Sequence, residues 1–151
     1  MRPMSATPPP TSRFRPGADP RVVAALQDEA RKGDLTIRVV GDCMAPLVSP
    51  GADVRIRAAR LYWPGDVVAF ASRAGELTLH RLIGYRLRGG RLAAITMPDN
   101  ERHPDASIPL TRVLGRLCGG DCDRRAVDVP LVDRWRALAR LARAVRERIG
   151  R

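Results

Sequence analysis

Residues 65–96 read GDVVAFASRAGELTLHRLIGYRLRGGRLAAIT, and this stretch decides the fold because short apolar runs alternate in it with turn residues. The turns contain Gly75 and Gly89-Gly90, and the runs flank them in this order: Val67–Ala71, Leu77–Tyr85, Tyr85–Arg88 and Arg91–Thr96. A glycine pair between two strand-like runs is typical of a tight β-hairpin. We therefore expect a meandering, curled sheet.

Strand signals extend outward from this stretch, from Leu35 to about Arg116. Upstream, apolar residues alternate with polar ones at four positions: Ile37, Val39, Val54 and Ile56. Alternation with a period of two favours half-buried strands. The predicted fold class is mainly β, a curled antiparallel sheet with a short N-terminal helix and a C-terminal amphipathic helix.

The N-terminal part of the chain divides into a tail and a helix. Residues 1–18 are rich in Pro, Ser and Thr without periodicity, which predicts a disordered tail. Asp19-Pro20 is typical of a helix start, and apolar residues recur at helical spacing until Gly33. The expected organisation is a tail, a helix, a β domain and a basic amphipathic helix, at 1–18, 19–33, 34–128 and 129–151.

The C-terminal segment combines one apolar face with many arginines. Seven residues share the apolar face of a helix over residues 130–149: Leu131, Trp135, Leu138, Leu141, Ala142, Val145 and Ile149. Two interpretations remain open at this point. The helix docks on the sheet and leaves a solvated basic face, or it contacts an anionic membrane peripherally through its apolar face.

Composition bears on partners and compartment. The 151 residues carry a net charge of +11, and Lys32 is the single lysine among 27 basic residues. A positive field favours acidic partners, although arginine-rich solvated surfaces give the same charge balance.

No apolar run approaches the ~20 residues of a membrane span, and residues 1–14 lack the apolar core of a secretory signal. We therefore expect a cytoplasmic protein whose three cysteines are thiols.

Six short motifs follow one another in a fixed order: GDCMAP at 41–46, PGADV at 50–54, GDVVAF at 65–70, HRLIG at 80–84, PDN at 98–100 with Asp105, and VLGR at 113–116. Together they resemble the motif series of type I signal peptidases and their relatives, over roughly residues 37–117. In that family the first motif supplies a serine nucleophile, and the fourth supplies a lysine or histidine base. The resemblance implies the family's curled sheet and an endopeptidase activity on an extended segment of a protein or peptide precursor.

The chain departs from the family at both catalytic positions. Cys43 stands where the family has serine, and His80 stands where its bacterial enzymes have lysine. The two changes fit one another, because an imidazole beside a thiol can hold a thiolate–imidazolium pair. The resemblance thus implies a cysteine nucleophile with a histidine base, and the main-chain N–H of Cys43 in the oxyanion hole. A degenerate module that binds peptides without cleaving them is the alternative.

A carboxylate is expected to orient His80, and two aspartates compete for that role. Asp105 matches the downstream aspartate of the family's histidine-using branch, whereas Asp99 matches a motif position that braces the loop. We favour Asp105, and the sequence leaves both open.

The resemblance also implies where the substrate lies. An extended peptide would pair with the strand before Cys43 and with the strand before His80, at six residues: Ile37, Val39, Gly41, Met44, Leu77 and Leu79. The self-cleaving repressors of the SOS response share the sheet but carry a helix-turn-helix, for which there is no room before Leu35, so we do not expect nucleic acid as a partner.

A metal site is not expected. Cys118 and Cys122 are spaced more widely than a two-residue zinc knuckle, and His103 is the only histidine besides His80. Structural zinc sites need four ligands at supportive spacing, so we predict a loop thiol pair and no cofactor. The sequence does not indicate the oligomeric state.

Overall fold

Strands form where apolar runs alternate with turn residues, and the chain is mainly β as expected. The structure is a computed structural model that describes residues 19–73 and 75–150, so the expected tail lies outside the described residues. The strands are β1 (Leu35–Arg38), β2 (Asp53–Arg57), β3 (Val67–Ala71), β4 (Leu77–Arg88), β5 (Arg91–Met97), β6 (Ile108–Pro109) and β7 (Val113–Gly120). The helices are α1 (Pro20–Lys32), α2 (Arg124–Val127) and α3 (Leu131–Ile149), and a 3₁₀ turn spans Leu110–Arg112.

The seven strands form one curled antiparallel sheet in the order β1-β2-β7-β3-β4-β5-β6. Both predicted hairpins are confirmed, since β3 pairs with β4 around Gly75 and β4 pairs with β5 around Gly89-Gly90. Both residues of the glycine pair have positive φ, a conformation that residues with a Cβ rarely adopt. β4 is long enough to pair with β3 through its first half and with β5 through its second.

The buried side chains form two main clusters on opposite faces of the sheet. The larger includes Met44, Ile56 and Leu79, and α1 and α2 pack against it. The smaller includes Phe70 and Leu82. Because successive side chains of a strand point to opposite faces, β4 contributes to both clusters. The same alternation determines which face of the sheet each side chain near the start of β4 occupies.

The first helix matches the prediction, and the second was not predicted. Asp19 accepts a hydrogen bond from the N–H of Arg21 at 2.9 Å, and α1 ends before Gly33. The short helix α2 lies within the predicted β domain, where Asp123 caps it by accepting from the N–H of Arg125 at 2.8 Å. A helix of one turn leaves no periodic pattern for sequence analysis to detect.

The C-terminal helix is confirmed, but of the seven residues of its predicted apolar face only Leu141 docks on the sheet. α3 packs on the sheet through Ala137 and Leu141, which join Ile83 and Met97 in a third cluster. A Cβ at Gly84 would overlap the end of the Leu141 side chain, so a larger residue there would force that side chain to move. Five large apolar residues of the predicted face are exposed: Leu131, Trp135, Leu138, Val145 and Ile149.

Polar contacts at its start hold α3 on the sheet in this orientation. Arg134 donates to Asp66 at 2.9 Å and to the carbonyl of Pro64 at 3.0 Å. Asp66 is buried and also accepts from the N–H of Trp63 at 2.9 Å, which closes the turn before β3. These bonds hold the start of the helix in an orientation that leaves most of its apolar stripe facing away from the sheet. None of the helices in the described ranges is both long and apolar enough to cross a bilayer.

Candidate active site

Cys43 lies in a turn between β1 and β2 that the segment after β5 holds in place. The carbonyl of Cys43 accepts from the N–H of Asp99 at 2.9 Å, and the Asn100 side chain donates to the carbonyl of Asp42 at 3.3 Å. Met44, next to Cys43, is completely buried and anchors the turn in the larger cluster. The motif at residues 98–100 therefore holds the turn that carries the thiol in place.

His80 projects from the first half of β4 and meets Asp105. Its Nδ1 lies 2.6 Å from Asp105 Oδ2, and its ring packs edge-on against Phe70 with centroids 5.7 Å apart. The carboxylate at Nδ1 leaves Nε2 as the nitrogen free to exchange a proton with another group. Of the two aspartates that the sequence left open, Asp105 is the one that contacts the imidazole.

The surroundings of His80 favour its protonated form. Burial lowers the pKa of His80, but hydrogen bonds to Asp105 and Cys43 and the negative charges of both raise it more, to about 9 in total. The side chain of Cys43 thus lies close enough to affect the imidazole directly. The three groups Cys43, His80 and Asp105 form one cluster, although 62 positions separate the first from the last in the sequence.

The thiol of Cys43 has a second neighbour. Its Sγ donates to the carbonyl of Leu79 at 3.5 Å. Cys43 is half-buried. In this conformation the sulfur lies at the edge of β4, close to the imidazole.

Asp99 belongs to a different cluster, which corrects its inclusion among the catalytic candidates. It accepts two hydrogen bonds from Arg81, at 2.7 and 2.6 Å, and Arg81 also donates to the carbonyl of Gly65 at 2.7 Å. Arg140 of α3 contacts the same carboxylate at 3.4 Å. A carboxylate held by two guanidinium groups is not available to orient His80.

The six predicted substrate-binding residues separate into core and edge positions. Val39, Met44 and Leu79 have side chains that are 7%, 0% and 5% exposed, so their side chains lie in the core and do not line a groove. Ile37 and Leu77 are half-buried against the same cluster, and Gly41 is exposed. Val39 also uses its main-chain groups to bond Gly51 and Ala52, which corrects its expected pairing with a peptide.

The free main-chain edge near the cluster belongs to the start of β4. Ser72 pairs with Glu76 and Asp66 pairs with Leu82, so even-numbered residues of β4 bond towards β3. Leu77 and Leu79 therefore direct their main-chain groups to the other side. β5 pairs with β4 only from Arg81 onward, so no strand within residues 19–73 and 75–150 pairs with this side at Leu77–Leu79, next to the thiol.

Sequence analysis missed one member of the site and misplaced one thiol. Thr96 is completely buried and donates to Asp105 at 2.7 Å, while the N–H of Asp105 bonds the carbonyl of Thr96 at 2.8 Å. A threonine among apolar residues in a strand was the only available signal. Cys118, predicted in a loop, lies in β7 and donates to the carbonyl of Arg55 at 3.4 Å.

The arrangement of a thiol, an imidazole and an orienting carboxylate can carry out nucleophilic acyl transfer. Within residues 19–73 and 75–150, no group of His, Cys, Asp or Glu is arranged to hold a metal ion. No protein-family model and no curated protein matches the chain.

Proposed function

We propose that this chain is a signal-peptidase-like endopeptidase with a cysteine nucleophile, which cleaves an extended segment of a protein or peptide precursor. Cys43 is the nucleophile, His80 the base and Asp105 the orienting carboxylate. The observation that carries the proposal is the engagement of His80 by Asp105 at 2.6 Å on one nitrogen, while the Cys43 side chain lies beside the same ring.

The chemistry follows from these contacts. In the reactive state His80 holds the proton of Cys43 as a thiolate–imidazolium pair, and the thiolate attacks the scissile carbonyl, so that a C–S bond forms and the carbonyl electrons move to oxygen. The main-chain N–H of Cys43, which has no acceptor within the described ranges, can stabilise that oxyanion. The C–N bond then breaks and the imidazolium gives its proton to the leaving amine. A water molecule, deprotonated by His80, hydrolyses the thioester and restores the thiol.

The open edge of β4 gives the substrate a position. A peptide that adds as a strand beside Leu77–Leu79 would exchange main-chain hydrogen bonds there, and its scissile carbonyl would approach Cys43. The carbonyl of Leu79, which now accepts from the thiol, would become free to bind substrate when the sulfur turns towards the imidazole. Binding and activation of the nucleophile are thereby coupled.

A peptide-binding module without catalysis is the second candidate. The observation that favours it is the hydrogen bond from the Cys43 thiol to the carbonyl of Leu79, because this bond directs the sulfur towards the strand edge. The same edge would bind the same kind of extended segment. The two candidates differ only in whether Cys43 reacts.

Site-resolved alkylation decides between the two candidates. Burial raises the pKa of the Cys118 and Cys122 thiols, so these residues serve as internal reference thiols. We expect iodoacetamide to label Cys43 at least about tenfold faster than Cys122 near neutral pH, because a thiolate is the reactive form. The difference should disappear in His80→Gln.

Cleavage is tested on a peptide library prepared from a digested proteome, with products identified by mass spectrometry. We expect Cys43→Ala and His80→Gln to lower the cleavage rate by about 10³-fold or more, as for other nucleophile–base pairs. Peptide binding without any cleavage that depends on Cys43, together with equal labelling of Cys43 and Cys122, would contradict the peptidase and leave the binding module.

We also propose that α3 attaches the chain to anionic membrane surfaces. Trp135 is 70% exposed and Ile149 is 81% exposed on the part of the stripe that does not dock. Arg136, Arg143 and Arg146 lie on the same exposed side of the helix. Apolar side chains between arginines suit the boundary between lipid headgroups and acyl chains.

Vesicle flotation tests this attachment. The wild type should float with phosphatidylcholine vesicles that contain phosphatidylserine and remain below with phosphatidylcholine alone, and high salt should reduce the binding. Trp135→Ser should weaken it, whereas Arg60→Ser, an exposed change outside α3, should have a smaller effect. Equal flotation with both kinds of vesicle, or with neither, would contradict the proposal.

A further inference from the structure

A cavity of about 680 Å³ opens next to the imidazole, on the face of the sheet that carries the smaller cluster. His80 and Asp105 form the wall nearest to the candidate active site, and Phe70, Ile108 and Pro109 supply apolar surface. Cys43 is not part of the lining. The imidazole thus borders this space, whereas the sulfur does not.

The polar lining of the cavity is strongly positive. Three arginines contribute to it: Arg73, Arg88 and Arg112. None of them forms an ion pair within the described part of the chain, and Arg112 donates to the carbonyl of Ser72 at 3.1 Å. Asp105 is the single acidic residue of the lining, and its carboxylate already bonds His80 and Thr96.

The position of the cavity indicates which part of a substrate would enter it. In the proposed reaction the leaving amine takes its proton from His80, so the residues that follow the scissile bond must pass beside the imidazole. The cavity begins at that ring. A side chain from the leaving segment can thus reach Phe70 and the arginines, while the acyl segment stays on the other side at Cys43.

We propose that this arginine-lined cavity is a specificity pocket for an acidic residue, Asp or Glu, in the segment that leaves after cleavage. The inference rests on the proposed function for which segment of the peptide passes the cavity, and on the arginines of the cavity for the negative charge of the side chain that binds. The carboxylate of the substrate supplies the negative charge that the lining lacks, and guanidinium groups bind carboxylates through paired hydrogen bonds. The apolar surface around Phe70 accommodates the methylene groups of the same side chain.

Cleavage of matched peptides gives the first test. A peptide cleaved by the wild type is prepared with Glu or with Gln directly after the scissile bond, and we expect kcat/KM to be about tenfold higher for Glu, as two partly desolvated ion pairs would give. Arg73→Glu/Arg88→Glu, which changes exposed side chains, should reverse the preference and favour a Lys peptide. Arg60→Glu makes the same kind of change outside the cavity and should leave the ratio unaltered. Equal kcat/KM for the Glu and Gln peptides would overturn the pocket.

Binding is measured separately so that the pocket does not depend on catalysis. Fluorescein-labelled Ala-Ala-Ala-Ala-Glu-Glu and its Gln-Gln counterpart are titrated into Cys43→Ala and followed by anisotropy. We expect the glutamate peptide to bind more tightly, and this preference should be lost in Cys43→Ala/Arg73→Glu/Arg88→Glu. That outcome supports the pocket even if the wild type cleaves no peptide. Absence of cleavage would overturn only the peptidase. Equal binding of the two peptides overturns the pocket even if the wild type cleaves both.

Discussion

His80 and Arg81 are neighbours on β4, and each has a nitrogen 2.6 Å from an aspartate oxygen, yet the two pairs serve different purposes. Their side chains point to opposite faces of the sheet, as alternation requires. Arg81 is buried, permanently charged and enclosed by Asp99 and the carbonyl of Gly65. His80 is titratable, lies beside a thiol and borders an open cavity.

The comparison shows that a short distance to a carboxylate does not identify a catalytic group. What distinguishes the two pairs is whether the base can change its charge and whether a substrate can reach it. The Arg81–Asp99 pair fixes the segment that holds Cys43, because the N–H of Asp99 bonds the carbonyl of that residue. One pair therefore positions the nucleophile, and the other activates it under the proposed function.

The largest expected difference between the pairs is in stability. Asp99→Ala leaves Arg81 buried, charged and without its carboxylate, and we expect a loss of about 3–5 kcal/mol in the free energy of unfolding. At pH 10, where His80 has already lost its charge in the folded protein, Asp105→Ala should cost about 2 kcal/mol, because mainly the bond of Thr96 is unmade. Urea denaturation of both variants at pH 10 measures the difference. An equal loss in the two variants would break the comparison.

The second difference is in pH dependence. The folded pKa of His80, about 9, lies above the ordinary 6.5, so protonated His80 stabilises the fold fully below pH 6.5, and the contribution is lost as pH rises through about 9. At about 1.4 kcal/mol per pKa unit, the contribution is up to about 3 kcal/mol. The stability gap between wild type and His80→Gln should therefore shrink between pH 6 and pH 10.

Arg81→Gln is the matched control for this pH series, because an arginine stays charged throughout the range. Its stability gap relative to the wild type should stay constant while that of His80→Gln shrinks. Parallel curves for the two variants would show that His80 does not titrate as its surroundings imply.

The smallest expected effect concerns the outer contact of each pair. Thr96→Val removes one hydrogen bond to Asp105 and should cost about 1 kcal/mol in stability, with a severalfold loss in kcat/KM. Arg140→Ala removes the 3.4 Å contact between Arg140 and Asp99. Because this contact is partly exposed to solvent, the free energy of unfolding should fall by less than about 1 kcal/mol. The pH profile of cleavage should not change. A changed pH profile in Arg140→Ala, and none in Thr96→Val, would reverse the assigned roles.

The fold was predictable where the pattern is local. Gly89-Gly90 and the runs beside it specify a hairpin, and Asp19-Pro20 specifies a helix start, because turn geometry and capping depend on adjacent residues. The docking face of α3 was not predictable. The sequence shows one apolar stripe, but only Leu141 of that stripe docks, next to Gly84, and Arg134 holds the start of the helix through contacts with distant residues.

The sequence by itself determined the strands, the hairpins and the two chemically suited residues, Cys43 and His80, since each depends on residue type and local spacing. Only the tertiary structure decided that Asp105 contacts the imidazole while Asp99 binds Arg81. The alternation of side chains along β4 separates His80 and Arg81, and the curl of the sheet then brings a different carboxylate to each face. Such pairings depend on how distant strands register, which no single stretch of sequence encodes.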